Sequence, residues 1–142
     1  MSLPLLYRDE ALVAVHKPSG LLVHRTMLDR HETAFAVQLV RDQIGQKVYP
    51  VHRLDKGTSG VLLFALDPAV AADVGARFAT RDVYKRYEAI VRGHPPAQLT
   101  IDHPLSRQRD PYESFGLDPD REPTAQTLQS AVTLLRTMAC CE

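Results

Sequence analysis

The sequence predicts a mixed α+β fold on three observations. Apolar runs of strand length and two segments with helical spacing are interleaved along one chain. The strands do not alternate regularly with the helices, so the βαβ cadence of a doubly wound sheet is missing. The composition, 44% hydrophobic and 24% charged, is that of a globular domain able to bury a core. With 142 residues, the chain is one domain or part of one.

Residues 5–7 and 11–16 form two short strands joined by a turn at Arg8, Asp9 and Glu10. Lys17-Pro18-Ser19-Gly20 is a second turn, and a short strand resumes at 21–23. Residues 33–44 carry Phe35, Val37, Leu39, Val40 and Ile44 mostly on one side of a helix, with Gly45 at the C-cap position. An apolar run at 51–54 leads into a loop over 55–60 and a strand at 61–66. Asp67-Pro68 opens a second helix as N-cap and first helical residue, with Val70, Val74 and Phe78 in register up to about Arg81.

The stretch 83–91 alternates. Val83, Tyr87, Ala89 and Val91 share one face with Lys85, and Tyr84, Arg86, Glu88 and Ile90 share the other, which predicts a strand ending at Gly93 and Pro95-Pro96. Residues 99–105 and 124–135 are further strand candidates. Between them, 106–122 holds 8 charged residues among 17 and is expected to be a loop.

Several function classes fall away. No apolar run reaches the length of a membrane span, and Arg8, Asp9 and Glu10 interrupt any signal-peptide core. Cys140 and Cys141 are adjacent, so they can neither staple the fold nor form a zinc spacing, and a reducing, cytoplasmic location is expected. The net charge is zero, which argues against coating nucleic acid by charge alone. Residues 1–93 nevertheless hold 13 Lys/Arg against 10 Asp/Glu, so this portion could face a polyanion. No phosphate-binding glycine loop or serine nucleophile elbow is present. The six histidines, His16, His24, His31, His52, His94 and His103, lack metal-ligand spacing, so no metal is expected.

The chemistry concentrates in HRLDKGTSG, residues 52–60. Asp55 closes an apolar run between Arg53 and Lys56 and precedes two glycines that permit a tight turn. Cationic neighbours would keep its carboxylate ionised. Such a carboxylate can attack an electrophilic carbon, or it can simply belong to a surface ion pair.

The string HRLDKGTSGVLLFA, with Asp55 at its centre, resembles the active-site motif of the RluA-like family of pseudouridine synthases. DEALVAVHKPSG at 9–20 resembles that family's opening strand and KPxG turn, and KRYEAIVRG at 85–93 resembles its KxYxAxVxG strand. The order of the three motifs agrees as well. LVHR at 22–25, LDR at 28–30 and VRDQIGQ at 40–46 are similar to the TruC-like, tRNA-modifying branch, and PTAQT at 123–127 resembles a strand beginning PAxT. The likeness covers roughly residues 5–135. It implies the N-terminal portion of the synthase catalytic fold, a largely antiparallel sheet with flanking helices. The later RxHQIR-type motif, whose arginine pairs with the catalytic aspartate in this family, is not found, so a partial domain over 1–142 is expected.

The resemblance implies isomerisation of a uridine in folded RNA, tRNA of the position-65 type foremost and ribosomal RNA as the alternative. No cofactor would be needed, and a monomer is expected. By motif position Asp55 is the nucleophile. Attack at the anomeric carbon, elimination through a glycal and attack at uracil C6 are all open. Tyr87 matches the tyrosine that stacks on the uracil and assists loss of the C5 proton. Arg53 matches the arginine that fills the gap left by the flipped base, a task suited to a planar guanidinium. His52, Lys56, Arg25, Lys85 and Arg86 are candidate RNA contacts. A non-catalytic RNA-binding remnant, or an inactive and marginally stable fragment, is the competing expectation.

Overall fold

The computed structural model describes residues 2–24, 33–106 and 128–139. The chain divides into two compact units, residues 1–86 and 87–142.

The first unit contains β1 (Leu5–Arg8), β2 (Leu12–Lys17), α1 (Ala36–Ile44), β3 (Tyr49–Pro50), β4 (Gly60–Ala65) and α2 (Pro68–Ala79). The strands form one antiparallel sheet in the order β1-β2-β4-β3. The β1–β2 turn is built by Asp9. Its Oδ1 accepts from the N–H groups of Ala11 and Leu12, and its Oδ2 accepts from the Tyr7 hydroxyl at 2.6 Å. This is the side-chain mimicry that makes aspartate a turn former.

In the β2–β4 pair, Val13 lies opposite Phe64, Val15 opposite Leu62 and Lys17 opposite Gly60. The period of two puts Val13, Val15 and Lys17 on one face. That face packs with Ala36 and Val40 of α1 and with Leu3, Leu21, Val23, Val48, Leu54 and Leu66 into the buried cluster. Each such side chain of Val size or larger contributes about 1.5–3 kcal/mol when fully buried. α1 starts at Ala36, three residues later than its spacing suggests, because Phe35 is still extended. Gly45 ends it, donating its N–H to Arg41 O. α2 lies against β3 and β4, and the Oδ1 of Asp67 caps it by accepting from Ala69 and Val70 N–H.

The second unit contains β5 (Gln98–Asp102), β6 (Leu105–Ser106), β7 (Leu128–Gln129) and β8 (Val132–Arg136). β5 pairs antiparallel with β8, and β6 with β7. The fold is therefore α+β with antiparallel pairing, as the sequence predicts.

Two strand expectations need correction. Residues 21–23 contribute only an isolated bridge, Leu22 to Phe35, because the chain turns there to deliver Val23 to the core. The stretch 83–91 is not a strand. Alternation describes how side chains would sort, but a strand exists only through a hydrogen-bonded neighbour, and this stretch pairs with no described strand. Residues 84–91 are consequently exposed, Tyr84 to 91% and Tyr87 to 61%. The polar loop over 106–122 and residues 124–127 of the last strand candidate fall almost wholly outside the described residues.

Candidate active site

The loop joining β3 to β4, residues 51–59, carries Asp55. It is anchored by two buried side chains, Val51 and Leu54. Arg53 and Asp55 flank Leu54 and are exposed. Burial of the residue between them turns both charged groups outward, a local use of the period of two. Thr58 N–H donates to Asp55 O at 3.0 Å and closes the turn directly after the carboxylate.

The Lys17–Gly20 turn is stitched to this loop. Gly20 N–H donates to Lys56 O at 2.7 Å, and Ser19 Oγ donates to Gly57 O at 2.8 Å. Lys17 Nζ donates to Leu21 O at 2.7 Å, Pro18 O at 3.0 Å and Lys56 O at 3.2 Å. Those three carbonyls match the three donors of an ammonium, which is how a lysine can sit at 0% exposure. Burial pushes this ammonium below its ordinary value, and the Asp55 carboxylate acts in the opposite sense. Gly20 and Gly60 have φ of 87° and 134°, conformations that side chains disfavour, so both ends of the stitched region use glycine for its freedom.

Lys17 and Ser19 were not among the candidate residues. A signal was present. Lys17 continues the Val13, Val15 alternation into the buried face, directly before the Pro18-Ser19-Gly20 turn.

His52 is half-buried. Its Nε2 accepts from Leu63 N–H of β4 at 3.0 Å, and its ring stacks on Phe78 of α2 with centroids 4.7 Å apart and planes 15° apart. Lys85 is close enough to act on this ring electrostatically, and Lys85 and Arg86 are exposed on the segment after α2. Lys56 is exposed too, its backbone carbonyl engaged as described. The first unit thus gathers His52, Arg53, Asp55, Lys56 and Lys85 around one loop. Tyr87 belongs to the second unit and is exposed there. Arg25 lies outside the described residues. Among the described residues, no three His, Cys, Asp or Glu side chains converge as a metal site would require, and no helix is long and apolar enough to cross a membrane.

A carboxylate held outward by the burial of Leu54 before it, on a loop fixed at its backbone, is suited to attack a substrate that approaches from solvent. The chain belongs to the RNA pseudouridylate synthase family, whose profile matches residues 11–140. Among curated relatives, it is 48% identical to tRNA pseudouridine synthase C of Vibrio cholerae over 96% of this chain and 54% of that protein. It is 51% identical to the Pasteurella multocida protein of the same name, over 94% of this chain and 53% of that one. The solved structure of human RNA Pseudouridylate Synthase Domain Containing 4 aligns with a TM-score of 0.63 and 30% identity, covering 92% of this chain and 52% of its own. The chain therefore spans about half the length of the relatives it matches.

Proposed function

We propose that this chain carries the aspartate-bearing half of a synthase that converts uridine to pseudouridine in tRNA. The observation that carries the proposal is Asp55, an exposed carboxylate directly after the buried anchor Leu54, on a loop stitched to the Lys17–Gly20 turn. Family membership and relatives named for tRNA support the reaction and the substrate class.

In this reading Asp55 attacks the uridine, the N1 glycosidic bond breaks, uracil turns, and C5 forms the new bond while its proton leaves. A carboxylate suits the task because it forms a bond and then departs readily. Arg53, exposed beside Asp55, occupies the space of the extruded base. Extrusion costs a few kcal/mol of lost stacking, so a planar cation that restacks the neighbours lowers that cost. Tyr87 stacks on the uracil and assists removal of the C5 proton. Lys56, Lys85, Arg86 and Arg25 meet phosphates. The protein acts as a cytoplasmic monomer, with RNA as its partner and no cofactor or metal.

The test presents unmodified tRNA and ribosomal RNA transcripts to this chain, and to a version extended to its relatives' length. Pseudouridine is then mapped by position. Pseudouridine at one tRNA uridine, with none in ribosomal RNA, is expected from the extended protein. Modification of ribosomal RNA alone would overturn the substrate assignment. RNA binding by the extended protein without isomerisation would overturn the catalytic one.

A further inference from the structure

We propose that His52 is a positioning residue, a neutral imidazole latch that fixes the Asp55 loop to β4 and opens when the ring gains a proton. The case starts from the hydrogen bond. Leu63 N–H donates to Nε2, so this nitrogen must carry no proton, and the ring proton sits on Nδ1. A backbone donor in the middle of a sheet strand is thus satisfied by a side chain from the neighbouring loop. Protonation would place two N–H groups face to face and end the bond.

The surroundings favour the neutral form. β4, Gly60–Ala65, has no titratable side chain, and it presents its backbone to the ring. α2 presents Phe78, stacked on the imidazole. The charged residues of α2, Asp73 and Arg77, pair with each other on the exposed side, and Arg77 also pairs with Asp82. Tyr49 of β3 is engaged by the Lys47 ammonium. Lys85 is the cation acting on the ring, and like burial it resists a second positive charge. Burial is the largest influence and holds His52 below its ordinary value, with a backbone interaction at Arg53 working the other way.

The position in sequence gives the latch its consequence. His52 is three residues before Asp55, and Leu54 between them is a core anchor. The loop is therefore held at two ends, by His52 on β4 and by Lys56 O and Gly57 O on the Lys17–Gly20 turn. Releasing the first end removes one restraint on Arg53 and Asp55 and leaves Leu54 as the anchor between them. The consequence for catalysis rests on reading this loop as the catalytic one, but the latch itself does not.

Nuclear magnetic resonance on the whole 142-residue chain separates the two. The ring nitrogens of His52 and the exchange rate of the Leu63 amide, corrected for intrinsic exchange, are followed from pH 8 to pH 4. The proposal expects an unprotonated Nε2 at neutral pH, a titration below ~6.5, and Leu63 protection that drops at least tenfold through that titration. His52→Gln retains an acceptor and does not titrate. It should keep Leu63 protected to within about threefold at every pH, abolishing the step. His52→Phe retains the stacking surface without an acceptor and should lose tenfold at neutral pH. A protonated Nε2 at neutral pH, or Leu63 protection that ignores the titration, would overturn the latch. Neither result depends on turnover, so failure of the latch is distinct from failure of the Asp55 assignment.

Discussion

A single ammonium organises the region around Asp55. Lys17 reaches three carbonyls from inside the core, and two of them, Leu21 O and Lys56 O, lie on different loops. Lys17→Met would fill similar volume but remove the ammonium donor from Leu21 O and Pro18 O, while Lys56 O keeps the Gly20 N–H. We expect a loss of about 2–3 kcal/mol in stability, measured by urea unfolding. Lys17→Arg should not rescue it, because a planar fork does not reproduce the compact point charge. At His52 the sign of the pH effect follows from the depressed folded value. Below ~6.5 the unfolded ring takes up a proton that the folded ring refuses, so stability is full above that pH and declines as pH falls through the folded value. Replacing His52 by Gln should flatten this part of the profile. At Tyr87, Phe preserves the stacking face and Leu removes it. If the hydroxyl assists proton removal, Tyr87→Phe in the extended protein loses most turnover with RNA binding intact, whereas near-parental rates for both variants would reduce Tyr87 to packing.

Elements with local chemistry were readable in the sequence. The Asp67-Pro68 start of α2, the Asp9 turn and the Gly45 cap each depend on one or two residues acting on nearby backbone. What depends on distant partners was not readable. The alternation of 83–91 carries no information about whether a neighbouring strand is there to pair with it. Lys17 looks like a surface cation until the register of β2 against β4 places it inside. The bond from Leu63 N–H to His52 Nε2 exists only once the loop folds back on β4. The C-terminus of α2 was equally hidden. Asp82 N–H returns to Arg77 O and Arg81 N–H to Phe78 O, a closing motif that demands a left-handed residue, and Arg81 supplies it at φ 63°. Arg81→Gly should therefore gain about 0.5–1 kcal/mol, seen as a raised thermal midpoint.

At the scale of the molecule, burial is unequal. The first unit concentrates the apolar cluster between its sheet and α1. In the second, Leu99 and Ile101 of β5 and Val132 and Leu134 of β8 are exposed, so this strand pair is held mainly by its backbone ladder. Hydrogen exchange should show the β2–β4 ladder protected on the order of a hundredfold more than the β5–β8 ladder. Equal protection would mean that the β5–β8 pair draws stability from contacts other than its own.

The central claim is that Asp55 performs the chemistry, and it is tested most directly by Asp55→Asn in the version extended to its relatives' length. Tritium release from C5-labelled uridine in tRNA is the readout, with circular dichroism as the check on folding. The amide is nearly isosteric but cannot form the covalent bond to the uridine, so release should fall by at least a thousandfold while the fold and RNA binding persist. Release within tenfold of the parent would contradict the assignment of Asp55 as nucleophile.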